Sequence, residues 1–216
     1  MEKENSKDLM EENTFKYLAL GDSYTIGEGV DEKDRYPNQT VDLLKAKELE
    51  FEKPTIIAKT GWTTDELMKG INDAGIAGNT YDLVTLLIGV NNQFRGRPIK
   101  NYEAEFRTLL QDAIAFADGE SNNVVVISIP DWGVTPFAVN RDSDQEKVAR
   151  EIDEFNEAKK SISEQLGVHY INITDEYREI GALPQMVVSD NLHPSALVYE
   201  KWAKKLEQVI LEKMDF

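Results

Sequence analysis

Short, almost wholly apolar runs alternate along this chain with longer stretches whose apolar residues recur every three or four positions. The runs cover residues 17–20, 55–58, 83–88, 124–129 and 168–173, the last with more polar residues among its apolar ones. Near-continuous apolarity of this length suits parallel strands buried on both faces. Between the runs, Tyr102, Phe106, Leu109, Leu110 and Ala113 share one helical stripe. Val148, Ile152, Phe155, Ile162 and Leu166 form a second, with one weak turn at Lys159. Val198, Trp202, Leu206, Val209 and Ile210 form a third, with Lys and Glu opposite. Strand and helix in alternation predict right-handed βαβ crossovers and a three-layer α/β/α sandwich. No repeat or linker interrupts the pattern, so a single domain is expected over residues 15–216. The polar segment 1–14, with Glu2, Glu4, Asp8, Glu11 and Glu12, is expected to be a mobile acidic arm.

In an open parallel sheet, ligands bind outside the carboxyl ends of the strands. Three segments stand there: Gly21-Asp22-Ser23-Tyr24, Thr60-Gly61-Trp62-Thr63-Thr64 and Gly89-Val90-Asn91-Asn92. A fourth, Asp190-Asn191-Leu192-His193-Pro194, precedes the last helix. Acyl transfer by a serine needs a hydroxyl, a base, a group that orients the base, and donors for the oxyanion. Ser23 falls at a strand-to-helix turn, where a lone serine is more often a helix N-cap than a nucleophile. Only two histidines compete for the base. His169 lies within an apolar run, which favours a structural role, whereas His193 lies in a loop with Asp190 three residues earlier. A tight turn would fold that carboxylate onto the imidazole and fix its tautomer. The plainer alternative has Asp190 or Ser195 capping the final helix. Gly61 lacks a Cβ, so its N–H can approach a substrate oxygen closely. Asn91 offers a neutral amide donor.

Taken together and in this order, the four segments resemble the blocks of the SGNH hydrolase superfamily, the GDSL-type esterases and lipases. The resemblance runs from about Tyr17 to the final helix. It implies a flavodoxin-like fold with a five-stranded parallel sheet, in agreement with the five apolar runs. It also implies a serine esterase working through an acyl-enzyme, with Ser23, His193 and Asp190 as the catalytic triad. The oxyanion hole would then comprise the N–H groups of Ser23 and Gly61 and the amide of Asn91. Two positions depart from the usual pattern: Asn92 stands where aspartate is common, and Asn191 where glycine is common. Asparagine tolerates left-handed backbone angles better than most residues, so the second turn is compatible with its sequence.

The segment 130–144, with Trp132, Val134, Pro136 and Phe137, is long for a connection and reads either as a wall or lid of the acyl site or as a loop tied down by its aromatics. Tyr24, Trp62 and Phe94 are further candidates for apolar pocket surface. The expected substrate is a small acyl ester or a lysophospholipid. A carbohydrate O-deacetylase or an acyltransferase would use the same residues, and a non-catalytic flavodoxin-like binding module is the competing reading from another class.

Charge narrows the partners. A formal net charge of -16 disfavours nucleic acid and anionic membrane surfaces. The absence of cysteine removes disulfides and thiolate chemistry. No run approaches the roughly 18 apolar residues of a membrane span. The amino-terminal segment has neither the basic region nor the apolar core of a signal peptide, which points to the cytoplasm. No cofactor or metal is expected. Gly27-Glu28-Gly29 lacks the third glycine of a phosphate fingerprint, and the carboxylates show no metal-ligand spacing.

Overall fold

A computed structural model describes residues 14–216. The acidic arm expected over residues 1–14 lies outside them except for Thr14. β1 (Tyr17–Gly21) pairs in parallel with β2 (Thr55–Ala58) on one side and β3 (Leu83–Leu87) on the other. β4 (Val124–Ile127) and β5 (His169–Ile171) complete the order β2-β1-β3-β4-β5. This is the flavodoxin-like order, with its topological switch point between β1 and β3. Every residue of β1, β3 and β4 is buried, which is why these strands read as unbroken apolar runs.

Helices follow each strand: α1 (Ser23–Ile26) and α2 (Tyr36–Lys45) after β1, α3 (Thr64–Asp73) after β2, α4 (Val90–Phe94) and α5 (Ile99–Phe116) after β3. α6 (Pro136–Asn140) and α7 (Gln145–Gln165) follow β4, and α8 (Thr174–Ile180) and α9 (Ala196–Lys213) follow β5. α2 packs on α9, while α5 packs against both α3 and α7. Right-handed crossovers put these two groups on opposite faces of the sheet.

β3, β4 and β5 end short of their apolar runs, and at β4 the reason is visible. After a last backbone bond from the Ser128 N–H to the Ile171 carbonyl at 3.0 Å, side chains replace the ladder. Asn156 of α7 accepts from the N–H of Ile129 at 2.8 Å and donates to its carbonyl at 3.1 Å. Ser128 Oγ accepts from Ile173 N–H at 2.9 Å. Apolar pattern marks burial, and burial continues where pairing has stopped.

Residues 130–144 are a packed corner. A short 3-10 turn at Trp132–Val134 leads into α6, and Thr135 Oγ1 donates to the Trp132 carbonyl at 2.6 Å. Asp131 is 1% exposed and accepts from Gly133 N–H and, at 2.8 Å, from Arg178 Nε. The Phe137 N–H donates to the Asn191 carbonyl at 2.9 Å, joining this corner to the loop that carries His193. These contacts tie the segment to the body of the protein.

Candidate active site

The four loops converge at the carboxyl ends of the strands around one cavity of about 160 Å³. Ser23, Tyr24, Thr60, Gly61, Val90, Asn91, Phe94, Trp132, Leu192 and His193 line it. A larger cleft, of about 440 Å³, lies beside Lys16, Lys53, Asn79 and Tyr81. Lys16 precedes β1, so that cleft is at the amino ends, away from the switch point where open α/β sheets bind ligands.

Ser23 is the first residue of α1, and the N-cap is Asp22, whose Oδ1 accepts from the Tyr24 N–H at 3.0 Å. The capping role that a lone serine would suggest thus falls to its neighbour. Strand β1 ends so tightly that a Cβ on Gly21 would overlap the Thr25 side chain and the Leu87 carbonyl. Just beyond this close approach, Ser23 reaches the cavity wall. Gly61 has φ +86, a conformation that side chains disfavour, while a Cβ there would meet only Arg95 Nη2, at an ordinary 3.6 Å. Glycine is therefore required there by the backbone and not by crowding. No other described residue accepts a hydrogen bond from the N–H of Ser23 or of Gly61. Asn91 Nδ2 donates to the Trp62 carbonyl at 2.9 Å. Its other contact is a stretched one of 3.5 Å to Asp22 Oδ2, which leaves one amide hydrogen available to the cavity.

His193 is 8% exposed, and its Nδ1 lies 2.6 Å from Asp190 Oδ2. Asp190 Oδ1 accepts from the N–H groups of Leu192 and His193 at 2.8 and 2.9 Å. Asn191, at φ +63, makes the turn that permits this, as asparagine allows. Partial burial pushes the Asp190 carboxyl up, but the hydrogen bonds from the His193 side chain and backbone and from Leu192 outweigh it and hold the carboxyl below its usual value. Asp190 commits its oxygens to the imidazole and its own loop, and Ser195 caps α9 without a side-chain bond, so neither residue serves as the side-chain cap of that helix. Nε2 is left for the cavity. Among the described residues no hydrogen bond joins it to Ser23 Oγ; in unliganded sites such bonds are often long and tighten with substrate.

Of the aromatic candidates, Tyr24, Phe94 and Trp132 line the cavity, while Trp62 and Phe137 do not. The Trp62 ring lies against Gly70 of α3. Phe137 packs on Trp132 with ring centroids 6.2 Å apart, and the Arg141 guanidinium lies 5.1 Å from the Phe137 centroid. Phe94 meets Trp132 edge to face at 5.2 Å, and Trp132 Nε1 donates to Gln93 Oε1 at 2.8 Å. Thr60, Val90 and Leu192 also line the cavity; adjacency to the motif residues is their only signal in the sequence. His169, read as structural, bonds Asn122 Oδ1 at 2.9 Å on the edge strand.

One buried pair has no clear signal in the sequence. Lys159, the weak turn in the α7 stripe, is fully buried and donates to the Ile127 carbonyl at 2.7 Å. Burial pushes its amine down to about 7, opposed by the charge of Asp22. Burial likewise pushes the Asp22 carboxyl up to about 7, opposed by the Tyr24 N–H and by Lys159. Between about 7 and 10.5 the unfolded lysine holds a proton that the folded one has released, so stability from this group rises with pH. Asp22 acts oppositely over about 3.8 to 7, where the folded carboxyl holds the extra proton and stability falls as pH rises. In Lys159→Met that lysine contribution is absent, and near pH 7, where the wild-type amine is still partly charged, Asp22 loses its counter-charge and ionises at a higher pH. Both effects have one sign. The unfolding free energy of the wild type relative to Lys159→Met should increase from about pH 7 to about 9.5 in urea titrations, and a pH-independent difference would refute the coupling.

A model of the GDSL-like lipase/acylhydrolase family matches residues 19–201. The chain belongs to this family. It is therefore a serine hydrolase acting on ester bonds, and its five-stranded α/β fold is that of solved structures of such enzymes. Esterase EstA from Pseudoalteromonas sp., in a structure inhibited by monoethylphosphonate, superposes with a TM-score of 0.68 at 18% identity, over 91% of this chain and 97% of that one. The lipase/acylhydrolase from Enterococcus faecalis gives 0.70 at 19%, over 94% and 98%. A single-residue variant of Axe2, an acetyl xylan esterase from Geobacillus stearothermophilus, gives 0.71 at 20%, over 94% and 96%. A search of curated proteins finds no significant match. Among the described residues no helix of this GDSL-like hydrolase is long and apolar enough to cross a membrane.

Proposed function

We propose that this GDSL-like hydrolase cleaves esters of small acyl groups by a Ser23–His193–Asp190 triad. The observation that carries the reading is the 2.6 Å Asp190–His193 contact beside a cavity that both His193 and Ser23 line. With Nδ1 held as donor to Asp190, Nε2 is the basic nitrogen. It takes the Ser23 hydroxyl proton as Oγ bonds to the acyl carbon. The carbonyl oxygen, now an anion, is met by the N–H groups of Ser23 and Gly61 and by the Asn91 amide. Collapse of this intermediate expels the alcohol, which leaves with the proton from His193. Water then repeats the cycle on the acyl-enzyme and releases the acid.

Size argues for a short acyl group. About 160 Å³ is below the roughly 300–1,000 Å³ of pockets that enclose drug-sized ligands. Tyr24, Val90, Phe94, Trp132 and Leu192 give that space an apolar lining suited to a methyl or short alkyl group. The acetyl xylan esterase is a structural neighbour whose name carries such a group, which favours acetylated carbohydrate among the substrates to try.

A fluorophosphonate probe, followed by peptide mapping, tests the nucleophile directly. The expected adduct is on Ser23, and its formation should be prevented by a short-chain ester substrate present in excess. Folded protein that takes up no probe, or takes it up elsewhere, would overturn the assignment.

A further inference from the structure

Asn92 occupies the position where aspartate is usual in this block, and its surroundings explain the exchange. Its side chain is fully buried against Thr64, the first residue of α3. Thr64 N–H donates to Asn92 Oδ1 at 3.1 Å, and Asn92 Nδ2 donates to Thr64 Oγ1 at 2.7 Å. The backbone N–H is a donor only, so it fixes which end of the amide is the oxygen. The Thr64 hydroxyl, having accepted from the amide, donates its own proton in a short hydrogen bond to Glu105 of α5. The chain of donors runs one way: Asn92 amide to Thr64 hydroxyl to Glu105 carboxylate.

This strut lies between the two loops that carry the oxyanion donors. Asn91, next to Asn92, holds the Trp62 carbonyl at 2.9 Å, and Gly61 and Thr64 flank the Trp62–Thr63 pair. Arg95 also reaches across to the Gly61 carbonyl at 2.6 Å, yet its side chain is 42% exposed and open to competition from water. The Asn92–Thr64 bonds are the fully buried part of the clamp.

We infer that Asn92, Thr64 and Glu105 form a polarity-matched strut that sets the separation of the Gly61 N–H and the Asn91 amide, and that asparagine stands at 92 because Glu105 already claims the one hydroxyl proton. The inference rests on the oxyanion hole proposed above. An aspartate at this position would be an acceptor at both oxygens, leaving two carboxylates to compete for a single Thr64 proton. Exchanging both ends, Asn92→Asp together with Glu105→Gln, restores the count. The glutamine amide then donates to Thr64 Oγ1 and the hydroxyl donates to the introduced aspartate, so the same contacts form with the direction reversed. Asn92 is thus a positioning residue, acting through Asn91 and Gly61.

The test measures kcat and KM for a short-chain aryl ester, with thermal melts of every variant. Asn92→Asp should lower kcat about tenfold to a hundredfold, the scale of a misplacement near 1 Å, and leave KM within about twofold. The double variant Asn92→Asp with Glu105→Gln should recover kcat to within about fivefold of wild type, the allowance for imperfect repacking of a coupled pair. Thr64→Val, which keeps the shape and removes the hydroxyl, should show the same kcat-specific loss, and Thr64→Ser should rescue it. These two carry the test if Asn92→Asp does not fold. A folded Asn92→Asp or Thr64→Val protein with wild-type kcat, or an Asn92→Asp loss that Glu105→Gln fails to repair, would overturn the strut. Ser23→Ala and Asn91→Ala in the same assay separate the two readings: if both retain activity the catalytic site is wrong, and if both lose it while the Thr64 and Asn92 variants do not, only the strut is wrong.

Discussion

Ser23→Ala is expected to lower kcat on short-chain esters on the order of 10⁶-fold, the cost typical of removing a serine nucleophile. The effect is this large because the proposed triad acts as a unit: without Oγ there is no acyl-enzyme, and His193 and Asp190 have nothing to activate. A residual rate of roughly 10³–10⁴ over water would remain from the oxyanion donors and binding. The substitution should leave the fold intact. Ser23 sits at the start of α1 with Asp22 providing the cap, and no hydrogen bond from its hydroxyl supports the described structure. A substitution that breaks no packing or hydrogen bond shifts stability by about 0.5 kcal/mol or less, and the melt should stay within that range. Steady-state rates on matched preparations, with a melting curve alongside, are sufficient. A folded Ser23→Ala protein within about tenfold of wild type would remove this serine from the mechanism.

Asn91→Ala is expected to lower kcat about a hundred- to a thousandfold, corresponding to about 2.7–4 kcal/mol for one oxyanion donor. The loss should fall on kcat with KM little changed, since the free amide hydrogen meets charge that exists only once the carbonyl oxygen becomes an anion. Part of the loss is geometric, because the same amide holds the Trp62 carbonyl at 2.9 Å and so steadies the Gly61 loop. Asn91→Asp keeps the shape but replaces both donor hydrogens by an acceptor, and it places a carboxylate beside buried Asp22 and the developing oxyanion. It should therefore be at least as slow as the alanine variant. An Asn91→Asp rate near wild type would show that no donor is needed at this position.

Much of this is legible in the sequence. Periodicity alone marks the five strands and the three long helices, because burial on both faces of a parallel sheet leaves no polar alternation and burial on one face of a helix leaves a stripe. The four loop segments, in their order, carry the family resemblance, since backbone turns and reacting groups constrain residue identity at points. Asn191 at φ +63 follows for the same reason. Lys159 shows the limit of pattern: a lysine in an apolar stripe reads as a weak turn, and only the Ile127 carbonyl and Asp22 around it make it a buried titratable group.

What the chain by itself determined is therefore local and periodic: which segments are strands, which faces are apolar, and which few residues have the chemistry of an ester hydrolase. Tertiary structure decided everything that depends on distant neighbours. It chose Tyr24, Phe94 and Trp132 over Trp62 and Phe137 for the cavity, tied residues 130–144 to the body of the protein, and paired Asn92 with Thr64 and Glu105. The reason is physical: a side chain's propensity and burial are encoded near it in sequence, but its hydrogen-bond partner is selected by the packing of elements tens of residues away.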